Sequence, residues 1–199
     1  MPILGVTASS ISGHLIAPDL GVMFPIGMVQ VGSAGASTIT FSSIPSTYTH
    51  LQIRGIVRNT GYSGGGAEQG MKMQFNSDTG SNYLTHGLIG NGTSDSSYVE
   101  TGTDAIWWTY GTIPMTDATA GIYGIGILDI LDYKNTNKYK TSRFIGGVDT
   151  NGSTSTYSNF GSGHWRNTNA ITSITLFPQA GSFAQHTTYA LYGIKGEAE

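Results

Sequence analysis

The chain has 199 residues, a length that one all-β domain commonly reaches, with a formal net charge of −3 and only 11% charged residues. Ordinary globular proteins carry about 25% charged residues. The low charge and the scattered basic residues disfavour nucleic acid as a partner, because phosphate binding relies on clustered Lys and Arg. Aromatic residues make up 11% of the chain, which argues against disorder and favours strands joined by tight turns.

The chain contains no cysteine, which excludes disulfides, thiolate zinc sites and thiol catalysis. Its first residues lack the basic start of a signal peptide, and no apolar run has the length of a membrane span. We therefore expect no membrane partner. The protein should be either intracellular or released by another route, such as host-cell lysis within a virus particle.

Residues 1–27 combine apolar side chains with Gly, Ser and Pro, and Asp19 is their only formal charge. No period of 2 or 3.6 runs through them, and Pro18 and Pro25 would break a helix, so we predict an extended N-terminal arm. Its apolar side chains must be covered, either by a neighbouring subunit or capsid surface or by the arm's own domain. The candidate interaction residues are Ile3, Leu4, Val6, Ile11, Leu15, Ile16, Met23 and Phe24.

Residues 28–199 predict a single β-sandwich domain of about eight to ten strands. In residues 48–58, Leu51, Ile53 and Val57 share one face while Gln52 and Arg54 share the other, which is the alternation of a half-buried strand. No helical period persists for three turns. The uneven connections favour a jelly-roll or Greek-key sandwich over a propeller.

The predicted strand segments follow in chain order, and the first two of them are expected to form a hairpin around residues 33–35. They are residues 28–32, 38–41, 48–58, 71–75, 83–90, 105–110, 121–131, 138–148, 157–165, 171–177 and 189–195.

Residue types suited to catalysis or metal binding occur without the spacing that such chemistry needs. The five histidines stand far apart, with no HExxH or HxH pair. Asp129 and Asp132 lie three residues apart on a strand and should point to opposite faces, which disfavours an acid–base pair. Residues 76–82 alternate oxygen-bearing side chains as calcium loops do, but capping of a hairpin turn is the favoured interpretation. We predict no catalytic residue, metal site or cofactor.

Large aromatic residues fall on both faces of the strand that contains Trp107, Trp108 and Tyr110. One face of this strand must belong to the core. Tyr and Trp on the other face are typical of subunit interfaces and also of sugar-stacking platforms. We favour a subunit interface and keep ordinary packing and glycan contact as alternatives.

Several sequence blocks resemble those of small virion structural proteins of tailed bacteriophages, a family whose members are regarded as capsid decoration proteins, head fibres or tail components. The blocks follow in order along nearly the whole chain: ILG at 3–5, ASSISG at 8–13, FSSIPSTYTHLQIRG at 41–55, DILDY at 129–133, NTNKYKT at 135–141, AITSITL at 170–176 and YALYGIKG at 189–196.

The resemblance implies a non-enzymatic protein of the virion that assembles in the host cytoplasm. We expect a capsid decoration (cement) protein that clamps neighbouring capsid subunits, packs as a homotrimer and has the major capsid protein or other virion structural proteins as partners. Such a protein would stabilise the assembled shell by mass action, because it binds only that state. The alternative is a tail-fibre or receptor-binding domain that contacts a host glycan.

Overall fold

The computed structural model describes residues 22–61, 68–150 and 156–196. Within these ranges the protein is all-β, as predicted, and contains no α-helix. The described part of the chain therefore offers no helix that could span a membrane.

Fourteen strands form the fold. They are β1 (Met23–Gln30), β2 (Ile39–Phe41), β3 (His50–Val57), β4 (Asn59–Thr60), β5 (Glu68–Phe75), β6 (Tyr83–Gly90), β7 (Asp95–Thr103), β8 (Ile106–Pro114), β9 (Gly124–Leu131), β10 (Lys140–Val148), β11 (Tyr157–Trp165), β12 (Ile174–Pro178), β13 (Ser182–Phe183) and β14 (Thr188–Ile194).

Two sheets of unequal size pack against each other as a sandwich. The larger sheet has eight strands in the order β1-β14-β3-β9-β10-β11-β6-β7, and the smaller has four in the order β2-β12-β5-β8. All of their pairings are antiparallel. Strand β8 lies over β10 and β11 of the larger sheet, and β4 and β13 form a small separate pair.

The core lies between the two sheets and is built from alternate residues of each strand. On β3, Leu51 and Ile53 point inward and are fully buried, whereas Arg54 on the other face is exposed. Large rings fill much of the space: Phe75 packs against both Tyr83 and Trp165. The larger sheet therefore has one face buried against the smaller sheet and one face turned away from it.

The strand pairing at the start of the chain differs from the prediction. Strand β1 pairs with β14 in the larger sheet, while β2 pairs with β12 in the smaller one, so the hairpin predicted around residues 33–35 is wrong. Residues 31–38 instead carry the chain from one sheet to the other. Strand β1 also begins at Met23, so the last residues of the predicted arm (1–27) belong to the sheet.

The finer jelly-roll assignment stays a prediction. A jelly roll arranges eight strands in two sheets, whereas the two main sheets here hold eight and four strands. The count of fourteen exceeds the predicted eight to ten: the eleven predicted segments each overlap one strand, and β4, β7 and β13 were not predicted.

Candidate interaction surface

The exposed face of the larger sheet carries a contiguous group of apolar side chains, which we call the outer patch. It consists of Ile56, Leu88, Ile125, Ile127, Ile145 and Phe160. Leu88, Ile125, Ile145 and Phe160 are 59%, 56%, 55% and 52% exposed. Side chains of this kind are common singly on a protein surface, but a contiguous group of them marks an interaction site.

The strand register explains why these side chains are contiguous. Ile145 stands opposite Ile127 on one side and opposite Phe160 on the other, and Phe160 stands opposite Leu88. Directly opposed residues of an antiparallel sheet have their Cβ atoms about 5 Å apart. The four side chains therefore form one row across β9, β10, β11 and β6, and the Ile56–Ile125 pair adds to it from the next row.

Shallow grooves run between the side chains of the outer patch. One groove of about 270 Å³ passes Leu88 and Phe160 and has the backbone of Gly87 and Gly161 in its lining. These glycines are required by the core beneath. A Cβ on Gly161 would lie 2.4 Å from the Phe144 ring, and one on Gly87 would lie 2.7 Å from the Tyr98 ring. The two glycines thus leave room for rings on the inner side of the sheet, while their backbone contributes to the groove on the outer side.

A polar network borders the outer patch on one side. Asp129 accepts hydrogen bonds from Gln52 Nε2 (2.6 Å) and from Arg143 Nη2 (2.9 Å), and Arg54 Nε donates to Gln52 Oε1. A cleft of about 400 Å³ lies at this border, lined by His50, Gln52, Asp129, Leu131, Arg143 and Ile194. The outer patch therefore has charged and amide groups along one edge, as the polar rims of protein interfaces do.

A pair of stacked histidines lies near the other end of the outer patch. The rings of His86 and His164 are 5.8 Å apart between centroids. Burial lowers the pKa of His164, and the nearby His86 and Arg166 lower it further. The Ser162 hydroxyl is 3.4 Å from His164 Nε2. The described residues place no carboxylate in contact with these rings, and nowhere do they gather three metal-ligating side chains.

The outer face of the smaller sheet has a different character. Its cross-strand rows contain Thr40, Thr175, Gln74 and Lys72. The hydroxyls of Thr40 and Thr175 lie 3.2 Å apart, and Lys72 forms an ion pair with Asp104 over 3.5 Å. In the row of Lys72, the partly buried rings of Phe177 and Trp107 stand on either side of it, so this face mixes polar side chains with two aromatic rings.

Two of the predicted arm residues lie within the described part of the chain and the others lie outside it. Ile3, Leu4, Val6, Ile11, Leu15 and Ile16 lie outside the described residues, and their role stays a prediction. Met23 lies on β1 and remains partly exposed. Phe24 stacks on Tyr48 of the same chain with ring centroids 5.8 Å apart, and Lys195 Nζ lies 4.8 Å from the centroid of the Phe24 ring. Phe24 is therefore largely engaged within its own domain.

The predicted oligomer interface on β8 requires a correction. The Trp108 ring is fully buried in the core and packs edge-on against Tyr189, so it does not reach a surface that a neighbour could touch. The physical reason is that β8 is covered by the larger sheet on that face. Trp107 is half-buried on the opposite face with Lys72 Nζ over its ring, and its interface role stays a prediction. The side chain of Tyr110 lies outside the described residues.

The two carboxylates singled out in the sequence serve different neighbours. Asp129 belongs to the polar network on β9, whereas Asp132 follows β9 with a positive φ of 46°. Asp132 forms an ion pair with Lys138 and lies 3.3 Å from His50 Nδ1. Both carboxylates thus have partners that fix strands and turns.

The loop that resembles a calcium site uses its one carboxylate to hold the turn. Asp78 accepts hydrogen bonds from the Trp165 indole N–H, the Gly80 backbone N–H and the Asn82 side-chain amide. Its oxygens therefore face N–H donors, which is the arrangement of a capped turn.

Sequence reasoning missed the outer patch, although a signal for it was present. On β9, apolar residues occupy both faces, with Leu128 and Ile130 inward and Ile125 and Ile127 outward. Strands that are apolar on both faces are typical of sheets covered on both sides.

Models of known protein families give no match to this sequence, and a search of curated proteins finds no significant relative.

Proposed function

We propose that this protein is a non-enzymatic structural component of a tailed-bacteriophage virion and works as one subunit of a symmetric assembly. The observation that carries the proposal is the outer patch, an exposed apolar surface on the face of the eight-stranded sheet that is turned away from the smaller sheet. The sequence blocks that resemble phage virion proteins support the biological setting. The outer patch is the surface through which each copy contacts its neighbours.

Energetics favour covering the outer patch. Fully burying a Leu, Ile or Phe side chain contributes roughly 1.5–3 kcal/mol. The half-exposed side chains of the patch therefore each retain on the order of 1 kcal/mol of unused burial. Several such contributions are enough to offset a large part of the cost of association, provided that the partner surface fits closely.

The low charge of the chain suits dense packing of many copies. With 11% charged residues and a net charge of −3, neighbouring copies repel one another weakly. A homotrimer around a three-fold axis, seated on the major capsid protein, is the arrangement that we favour. Binding only to the assembled shell would stabilise that shell by mass action, which is the mechanism of a capsid decoration (cement) protein.

A tail-fibre or receptor-binding domain is the second candidate. The cleft lined by His50, Gln52, Asp129 and Arg143 favours it, because planar polar side chains at the edge of an open cleft are suited to the hydroxyl groups of a glycan.

The copy number per particle tests the proposal and separates its two forms. We expect quantitative mass spectrometry of purified particles to find this chain in numbers comparable to the major capsid protein. A much smaller number, of the size expected for a tail or vertex component, would favour the adhesin. Absence from the particle would contradict both forms.

A further inference from the structure

We propose that residues 1–21 of a neighbouring copy lie across the outer patch, so that subunits are joined by exchanged N-terminal arms. This inference rests on the proposed function, because it requires that copies of the chain assemble. The arm would cover the outer patch, which the described residues leave exposed.

The place where the chain enters the larger sheet gives the first argument. The backbone oxygen of Val22 accepts a hydrogen bond from the Lys195 N–H over 3.1 Å, so the β1–β14 ladder continues up to Val22. Met23 stands opposite Ile194, which in turn stands opposite His50. The described part of β1 therefore begins at the His50 end of the larger sheet, and the arm is attached there.

The outer patch lies toward the other end of the strands. Arg54 and Ile56 follow His50 on β3, and they stand opposite Ile127 and Ile125. Strand β1 runs from the His50 end toward the level of the patch, so an arm extended straight back from Val22 would point away from the patch of its own chain. Covering that patch from the same chain would require the arm to reverse direction, which favours the patch of a neighbouring copy as its site.

The composition of residues 1–21 matches the patch chemically. The segment has one formal charge, Asp19, and its apolar residues occur along its whole length. They are Ile3, Leu4, Val6, Ile11, Leu15, Ile16 and Leu20. Between them stand small residues, which allow an extended chain to lie close to the surface beneath it. A polar tail could not replace water on an isoleucine-rich surface in this way.

The length of the segment is sufficient. An extended chain advances about 3.3 Å per residue, so 21 residues reach about 70 Å. The patch extends over five adjacent strands, β3, β9, β10, β11 and β6. At about 4.8 Å between neighbouring strands, this width is about 19 Å. An arm can therefore leave one subunit and still cross the full patch of the next.

Single-cysteine variants test the exchange, because the natural chain contains no cysteine. One chain carries Ile11→Cys on the arm and another carries Ile145→Cys at the centre of the patch. The two chains are co-expressed and mildly oxidised, and the products are separated on a non-reducing gel. Leu4→Cys and Leu15→Cys repeat the test at other positions along the arm. We expect a band at twice the chain mass that contains one copy of each variant.

Thr40→Cys, on the exposed outer face of the smaller sheet, is the matched control for the patch position. We expect no mixed band between this variant and the arm cysteines. An equally strong mixed band with Thr40→Cys would overturn the proposal. So would a disulfide between two Ile145→Cys chains without any arm cross-link, which would show that the patches of two copies face each other.

Two further measurements separate this inference from the proposed function. A chain with both Ile11→Cys and Ile145→Cys that cross-links only within itself would show that each arm covers its own patch, and the exchange would be wrong. Sedimentation gives the oligomeric state of the same samples. Assembled chains without a mixed band contradict the exchange alone, whereas a chain that stays monomeric and is absent from particles contradicts the proposed function as well.

Discussion

Trp165 donates its indole N–H to Asp78 Oδ2 over 2.7 Å, a bond that ties the end of β11 to the turn between β5 and β6. Partial burial acts to raise the pKa of Asp78, but the hydrogen bonds from Trp165, Gly80 and Asn82 together hold it below the ordinary value of 3.8. The ionised carboxylate is therefore the form that the folded protein favours.

This pKa shift predicts a loss of stability in acid. A carboxyl whose pKa is lower in the folded protein contributes its full stabilisation above pH 3.8 and loses it as the pH falls through the folded-state pKa. We expect Asp78→Asn to lower Tm at pH 7 and the difference from the natural chain to shrink below pH 3.8. Thermal unfolding followed by circular dichroism at several pH values measures this. A difference that does not change with pH would contradict the role of the charge.

The lowered pKa of His164 predicts a second pH dependence of stability, at higher pH than that of Asp78. Burial, His86 and Arg166 lower its pKa, so the unfolded chain takes up a proton before the folded protein does. Stability should therefore fall as the pH drops below 6.5, the ordinary value for histidine. His164→Gln should flatten the pH dependence of Tm just below 6.5. An unchanged pH dependence of Tm in a folded His164→Gln variant would contradict this account.

The close packing around Gly161 predicts that adding one methyl group there lowers the stability of the fold. A Cβ at this position would lie 2.4 Å from Phe144 Cζ, so Gly161→Ala must displace a buried ring. Overpacking of this kind costs typically about 1–3 kcal/mol. Urea unfolding should show the loss as a lower midpoint. Gly147→Ala is the matched control, because a Cβ there would be 3.5 Å from the nearest atom, which is ordinary contact. Equal effects of the two variants would contradict the packing argument.

Lys140 predicts a cost for removing a buried amine. Its side chain is 1% exposed, and Nζ donates to the backbone oxygens of Asn135, Lys138 and Thr168. Burial and the charge of Lys138 lower its pKa, and Asp132 partly offsets them. Lys140→Met keeps the side-chain volume but leaves three oxygens without their donor, at a cost of roughly 2–4 kcal/mol. Urea unfolding compares it with Lys134→Met at an exposed site, which should have little effect.

Much of the fold could be predicted because alternation along a strand is a local property. Each of the eleven predicted segments overlaps one of the fourteen strands. Strand β7 was missed because it is an edge strand with the sequence DSSYVETGT, in which polar residues occupy both faces. The pairing of β1 with β14 could not be predicted, because it joins residues from opposite ends of the chain.

The candidate surface was harder to predict than the fold. The large aromatic residues Trp107 and Trp108 were predicted to form a subunit interface, yet the Trp108 ring belongs to the core. The outer patch is assembled from single residues on five strands, and only the strand order makes them neighbours. The apolar residues on both faces of β9 indicated that its second face would also be covered, but not which residues of other strands would share that face.

The most direct test of the proposed function is the oligomeric state of an outer-patch variant. Ile145→Lys places a charge in the middle of the patch without touching the core, because Ile145 is 55% exposed. Tyr139→Lys, at a 59% exposed aromatic residue before β10, is the matched control. Sedimentation velocity should find the natural chain and Tyr139→Lys assembled and Ile145→Lys shifted to monomer, with association weakened by about tenfold or more. Unchanged assembly of a folded Ile145→Lys would contradict an interface at the outer patch.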